Sequence, residues 1–557
     1  MTDLKIPVGI SDFAKIRNYD YYYVDKTGLI EELLENETAE VTLITRPRRF
    51  GKTMGMSMLA NFFDIRKDSQ AMFAGLQISK NAALCKEWMN QWPVVFLSFK
   101  NIDGDKFSLA YQQMVYEIGL LYDSYSELLT SNKLSEDDKA LFLQLKRRTA
   151  NEIDVLRSIQ FLLSLLYKHY GKTVILLLDE YDVPLAKSSA HGYYPEMLNV
   201  IKSMMTTSLK DNNTLRFAVI TGCLRIAKES IFTGTNNFVS DTISSSHLNE
   251  YFGFTQADVD QILKDADCME HADDIKNWYD GYHFGNLDVY CPWDVMNYLR
   301  DLQRNPKAKP ASYWKNTSDN SIIRSFIDYA GHSISRKLEI LLSGGYILQR
   351  IEENLTYDYL HSSEENLWSI LYLTGYLTQA REEDLPEPLP EGSSALMIPN
   401  AEVREIFETT IQKWFDESAQ TWNRKALFDA VWSGDTETLT KEMNKLLRKT
   451  ISYHDYREDF YHAFLAGIFA GAGYEVDSNK EHGEGRSDVV VLDPEEDRVA
   501  IFEAKYSRTQ DAMPRDCAAA LQQIEDRQYA KEFEEDYDSI LCYGIAFYKK
   551  RCLVQTK

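Results

Sequence analysis

Four runs of apolar residues punctuate the N-terminal part of the chain: Val41-Thr42-Leu43-Ile44, Pro93-Val94-Val95-Phe96-Leu97-Ser98-Phe99, Val174-Ile175-Leu176-Leu177-Leu178 and Leu215-Arg216-Phe217-Ala218-Val219-Ile220. Continuous apolar runs of this length suit strands buried on both faces. The longer mixed stretches between them predict helices, and strands alternating with helices predict a parallel sheet. From about Asn249 to Leu447 the pattern becomes mainly helical, broken by aromatic turns such as Trp278-Tyr279-Asp280-Gly281-Tyr282 and Val289-Tyr290-Cys291-Pro292. Base-stacking rings are expected among basic neighbours, and these sit among acids, so they read as core. The Pro-rich, acidic stretch Glu382 to Gly392 predicts a long exposed hairpin connection between Tyr376 and a strand at Leu396-Met397-Ile398.

Near Ser452 the pattern changes again. A helix, Glu458 to Phe469, precedes a short strand near Tyr474-Glu475-Val476 and two apolar runs, Ser487 to Leu492 and Arg498 to Lys505. A long helix, about Ala512 to Phe533, and a last strand, Ser539 to Phe547, complete the order αβββαβ. The expected organisation is a multidomain α/β chain with segments at 1–240, 241–450 and 451–557.

Composition narrows the function. With 557 residues, 44% hydrophobic, 34 Tyr and 26 Phe, the chain fills packed cores and is not globally disordered. Its net charge of −24 argues against coating nucleic acid through an overall basic surface, so any nucleic-acid contact must be local. The seven cysteines are odd in number and never spaced C-x-x-C, which suggests neither a disulfide framework nor a zinc site but reduced cytosolic thiols. No apolar signal core follows Met1, and no run approaches the roughly 18 apolar residues needed to span a bilayer. A cytoplasmic location without membrane contact is expected.

The run Val41 to Ile44 leads into Arg46-Pro47-Arg48-Arg49-Phe50-Gly51-Lys52-Thr53 and then a helical stretch. Strand, loop and helix in that order make a phosphate-binding loop: backbone N–H groups and the helix N-terminus cradle phosphates, a Lys neutralises them, and a Ser/Thr hydroxyl binds Mg²⁺. Arg46 stands where the standard motif has Gly. The run Val174 to Leu178 delivers Asp179 and Glu180 to its C-terminal edge, where open α/β sheets bind ligands. Asp179 is expected to hold Mg²⁺ and Glu180 to orient the attacking water. Thr221, ending the fourth run, is placed like a γ-phosphate sensor; Arg225 beyond it fits a phosphate contact and a surface position equally well.

In the C-terminal segment Asp488 opens one strand and Glu503-Ala504-Lys505 closes the next, so a hairpin brings Asp488 beside Glu503. Side chains alternate along a strand, which puts Glu503 and Lys505 on one face with Ala504 opposite. Two converging carboxylates suit Mg²⁺ or Mn²⁺, and Lys505 positions a water and offsets phosphate charge. The domain's acidity leaves its nucleic-acid surface undefined; Arg486, Arg508, Arg515 and Lys549-Lys550-Arg551 are the candidates.

Ile6-Pro7-Val8-Gly9-Ile10-Ser11-Asp12-Phe13, Tyr22-Tyr23-Val24-Asp25-Lys26-Thr27, Arg46 to Thr53, Leu178 to Asp182 and Thr221-Gly222 together resemble the bacterial AAA-ATPase-like family. That family similarly begins its loop Arg-Pro-Arg-Arg-Phe-Gly-Lys, and the resemblance implies ATP binding through Arg48, Arg49, Phe50, Gly51, Lys52 and Thr53. The segment after Ser452 resembles the PD-(D/E)XK nuclease domain, a restriction-endonuclease-like fold that ends many members. By that resemblance Asp488, Glu503 and Lys505 match the catalytic core, Gln523 the helix Gln, and Glu458 and Glu481 additional acids.

The leading expectation is an ATP-binding, ATP-hydrolysing protein whose C-terminal Mg²⁺-dependent nuclease cleaves DNA or RNA under ATP control, in defence, mobile-element or repair biology. One rival is an ATP-dependent sensor or scaffold with a catalytically silent nuclease fold that holds nucleic acid or a protein partner. A pure ATPase motor is the other, a ring-forming homo-oligomer with Arg225 as its finger. The middle region is expected to act as lid and connector.

Overall fold

The computed structural model of the chain describes residues 4–35, 39–225, 238–314, 323, 337–338, 340–355, 363–386, 388–420, 424–450, 465–466, 468–469, 474–482, 485–494, 496–534, 536–549 and 551–557. The chain divides into two compact units, one made of residues 1–318 and 346–404, the other of 319–345 and 405–557.

All four N-terminal apolar runs become strands of the first unit: β1 (Val41–Thr45), β2 (Val94–Ser98), β3 (Val174–Asp179) and β4 (Leu215–Gly222). A fifth, β5 (Phe238–Asp241), completes a parallel sheet in the order β2-β3-β4-β1-β5. Its four residues, alternating and partly exposed, gave no apolar run to find. Every residue of β3 is buried, as a central strand covered on both faces requires. The parallel register brings Thr45, Ser98, Asp179, Thr221 and Asp241 to one edge of the sheet.

Beyond β5 the first unit is mainly helical, with a hairpin of β6 (Tyr282–Phe284) and β7 (Leu287–Val289) before the helix Pro292–Arg304. The expected hairpin pairing around the acidic Pro-rich loop is present: β9 (Thr378–Gln379) runs antiparallel to β10 (Ser394–Met397), which also pairs with β8 (Ile347–Gln349). Tyr279, Tyr282 and Tyr290 of the aromatic turns are buried, as core residues should be.

The second unit contains a five-stranded sheet in sequential order: β11 (Glu475–His482), β12 (Gly485–Asp493), β13 (Arg498–Tyr506), β14 (Ser539–Tyr548) and β15 (Arg551–Thr556). Only β13 and β14 are parallel, joined through the helix Met513–Asp526. Two details differ from the sequence expectation. That helix ends at Asp526 because Gln528 adopts a left-handed φ of 52° and Tyr529–Phe533 forms a separate 3₁₀ turn. A further strand, β15, pairs antiparallel with β14 through a tight turn. Strand alternation sorts the core: Val489, Val491, Ala500, Phe502 and Ala504 pack on one face, while Val490, Leu492, Val499 and Ile501 pack with Ile524, Tyr529 and Phe533 on the helix face. By the same alternation Asp488, Glu503 and Lys505 belong to the helix face.

Candidate functional site

The first site lies at the C-terminal edge of the parallel sheet. Gly51 takes φ 87° and opens the helix Lys52–Phe63 with no side-chain cap, so its first N–H groups remain available to an anion. Lys52 is buried, and its Nζ donates to the carbonyls of Arg46 at 2.8 Å and Pro47 at 2.7 Å. Asp179 is fully buried and accepts three hydroxyls: Thr53 at 3.0 Å, Ser98 at 3.2 Å and Thr221 at 2.7 Å. Such a satisfied carboxylate tolerates its burial. Glu180 follows at φ 53°, and burial lifts its carboxyl above the ordinary range, against the pull of Lys52.

Arg46 turns away from the loop. Its guanidinium is 0% exposed, paired with Asp241, bonded to the carbonyls of Thr45 at 2.9 Å and Asp241 at 3.1 Å, and set over the rings of Phe252 and Phe284. Its side chain ties the loop to the end of β5, while its carbonyl receives Lys52. Phe50 packs in the core against Tyr282 and Phe284. Arg49, at φ 74°, lies over Trp293 and Trp314, near two buried carboxyls, Asp294 and Glu402. Burial raises both carboxyls above the ordinary range, and Asp294 adds to the rise of Glu402. Arg48 is exposed near Glu180. Arg225 is half-buried just past β4, its Nε without a hydrogen bond among the described residues.

A cavity of about 370 Å³ adjoins the loop, within the size range of ligand pockets. Gly51, Lys52, Thr53 and Glu180 form one wall, Pro7 to Ser11 and Tyr22 to Val24 a second, and Tyr251, Phe254, Trp293 and Met296 a third.

The second site lies on the helix face of the C-terminal sheet. Asp488 accepts the Ala504 N–H at 2.7 Å, and Lys505 Nζ donates to Glu503 Oε1 at 3.0 Å. Glu503 is 1% exposed, and its Oε2 is buried without a hydrogen-bond partner among the described residues. Burial, then the neighbouring Asp488, pushes its carboxyl up to about 7. Gln523 reaches toward Tyr529 Oη at 3.5 Å from the covering helix. Gly544 pairs with Glu503 in register, and a Cβ there would come within 2.3 Å of the Cys517 carbonyl; only glycine lets the helix lie this close. Glu481 falls in β11 with its side chain outside the description, and Glu458 lies outside the described residues. Among the described residues no cluster of three His, Cys, Asp or Glu forms, which leaves Asp488 and Glu503 as the converging pair.

Sequence reasoning missed Ser98, Asp182 and the Arg46–Asp241 pair. Ser98 was visible as the polar residue at the end of an apolar run, where Asp179 and Thr221 also stand. Asp182 accepts the N–H groups of Cys223 and Leu224 at 3.0 Å each and so fixes the turn after Thr221. Asp241 sits on the strand that carried no signal.

Residues 7–232 match the family model described as "Predicted AAA-ATPase", and residues 456–557 match the PD-(D/E)XK nuclease superfamily. A protein of Azotobacter chroococcum mcd 1, described as "Uncharacterized protein in vnfD 5'region", is 26% identical over 572 residues, covering 98% of this chain and 97% of its own. No described helix is long and apolar enough to cross a membrane. The chain therefore joins a segment that matches predicted AAA-ATPases to a C-terminal segment that matches the PD-(D/E)XK nuclease superfamily.

Proposed function

We propose that the first unit binds and hydrolyses ATP and that the C-terminal unit is a Mg²⁺-dependent nuclease acting on DNA or RNA, with nucleotide binding gating cleavage. The ATPase half rests on one observation: the loop hydroxyl of Thr53 and the strand-end hydroxyls of Ser98 and Thr221 all converge on buried Asp179 beside Lys52. Lys52, now bonded to loop carbonyls, would exchange them for phosphate oxygens. Asp179 and Thr53 would hold Mg²⁺, and Glu180, at the strand end beside them, would orient water. The cavity between Pro7–Ser11 and the helical region supports a nucleoside pocket closed by the region after β5, which acts as a lid.

For the nuclease, the buried Glu503 Oε2 without a partner, next to Asp488, fits a hard cation that both carboxylates would hold. Bound there, the ion supplies Lewis acidity toward a phosphodiester oxygen and a more acidic water. Lys505, oriented by Glu503, positions that water, and Gln523 supports the helix face.

The test is a cleavage assay on single- and double-stranded DNA and RNA with Mg²⁺, with and without ATP. Lys52→Ala should lose ATP binding, and Lys505→Ala should lose cleavage while keeping it. Intact nucleic acid under every condition with wild-type protein overturns the nuclease reading. The ion pair of Lys505 with Glu503 favours a second reading, a silent centre that holds nucleic acid or a protein partner; ATP turnover with no cleavage, and unchanged cellular function in Asp488→Ala, would select it.

A further inference from the structure

The C-terminal unit is acidic by composition, and the sheet sorts its charges by position. At one end of the strands lie Asp493, Glu496 and Asp497 of the β12–β13 turn, joined by Asp538, whose N–H bonds the Asp497 carbonyl at 3.0 Å. Glu532, Glu534 and Asp536 sit in the segment that leads into β14 at this same end.

The opposite end is built differently. Tyr506 pairs with Phe547, and the Ser507 N–H bonds the Phe547 carbonyl at 2.8 Å, so the segment after β13 and the β14–β15 turn are neighbours. Arg551 donates to Gln510 Oε1 at 2.9 Å across the same junction. Ser507 is buried and donates to Asp516 at 2.7 Å, which draws the first turn of the helix Met513–Asp526 to this end. Four cations therefore meet here from three elements: Arg508, Arg515, Lys549 and Arg551. Arg515 is 81% exposed even while bonded to Asp516, Arg508 and Arg551 are exposed, and Lys549 lies over the Tyr548 ring at 5.3 Å. Asp511 and Asp516 are acids among them, and the register of β11 on β12 brings Glu481, opposite Arg486, to the same end.

Distance decides whether the acidic end cancels this patch. From Arg498 to Tyr506 a strand rising ~3.3 Å per residue spans about 26 Å. The Debye length at physiological salt is about 8 Å, so the two ends act as separate surfaces. Asp488, Glu503 and Lys505 stand toward the basic end, since the strands place Asp493 and Arg498 together at the acidic one.

We propose that a nucleic-acid backbone docks along this basic end, with phosphates on Arg508, Arg515, Lys549 and Arg551, and that this is how a strongly acidic chain delivers a phosphodiester to the Asp488–Glu503 pair. The proposal rests on the nuclease reading of that pair, and binding is the readout that separates the two.

The experiment uses full-length Asp488→Asn protein, a fluorescein-labelled 30-base-pair DNA duplex and a KCl titration. Each phosphate contact contributes about 0.9 to the slope of log K against log salt. In this background the triple variant Arg508→Gln, Arg515→Gln, Arg551→Gln should lower the slope by roughly 2–3 and weaken binding at 0.1 M KCl roughly 100-fold or more. The corresponding triple Arg-to-Lys variant should restore most of both, which a merely misfolded protein would not do. Lys531→Gln, near the acidic end, should change neither. An unaltered slope and affinity in the triple Gln variant overturns the surface even if wild type cleaves. Absence of duplex binding by Asp488→Asn at low salt overturns it as well. A wild type that never cleaves, combined with the expected loss of slope, retains the surface and refutes the nuclease.

Discussion

Replacing Arg46 by glycine, the residue a standard phosphate loop has there, should damage this loop. Its guanidinium is fully buried and bonded to Asp241, itself 4% exposed. Removing one partner of a buried ion pair leaves an uncompensated charge, at about 3–5 kcal/mol, and Arg46→Gly also strands the carbonyls of Thr45 and Asp241. For a unit of roughly 380 residues, unfolding entropy near 2.1 cal/mol/K per residue converts this to a melting shift of about 4–6 °C. The assay is thermal unfolding of the full chain, read at the ATP-protected transition so that the first unit is the one observed. Arg46→Met with Asp241→Leu removes both charges at similar volume and should recover most of the loss, because an apolar replacement of a buried pair is often neutral. Melting of Arg46→Gly within about 1 °C of wild type, or a double variant as damaged as the single, would refute the reasoning.

Glu503 gives a pH dependence: with its folded value near 7 and its ordinary value at 4.5, the stability its proton contributes is fully present below 4.5 and lost as pH rises through 7. Glu503→Gln, which never ionises, should therefore gain on wild type by up to roughly 3 kcal/mol between pH 5 and pH 8 in denaturant melts without divalent ions, less what the Lys505 pairing returns; an equal gap at both pH values contradicts this. Gly544→Ala should destabilise the C-terminal unit by about 1–3 kcal/mol or more through overpacking and abolish cleavage while ATP binding, checked by equilibrium dialysis, persists. Thr221→Val removes one of three hydroxyls from buried Asp179 and should slow ATP hydrolysis roughly tenfold at a loss of about 1–3 kcal/mol; unchanged turnover would detach Thr221 from the site.

The parallel sheet and the strand-end acids of the first unit were legible because buried central strands write themselves as unbroken apolar runs, and the polar residue ending each run marks the ligand edge. Asp179, Thr221 and Ser98 all follow that rule. Arg46 could not be understood from sequence, since its partner Asp241 lies 195 positions away on a strand of four residues with no apolar signature. What reads as a defect in a local motif is a long-range brace. The cavity was hidden for the same reason: its walls come from residues near 7–24, 51–55 and 251–296, which only folding brings together.

In the C-terminal unit, alternation along β13 was enough to put Glu503 and Lys505 on one face, and the Asp488 hydrogen bond to the Ala504 N–H shows the hairpin register that joins the two carboxylates. Net charge sums over positions that screening keeps apart, so it left open only a local nucleic-acid contact. A strand order in which β13 and β14 run parallel puts the loop after β13 and the turn after β14 at one end, and the turn before β13 with the lead-in to β14 at the other. Arg508, Arg515, Lys549 and Arg551 thereby come to one end of the sheet, while Asp493, Glu496, Asp497 and Asp538 stand a strand's length away at the other. If the proposed surface holds, strand order rather than net charge is what would let an acidic chain meet a polyanion.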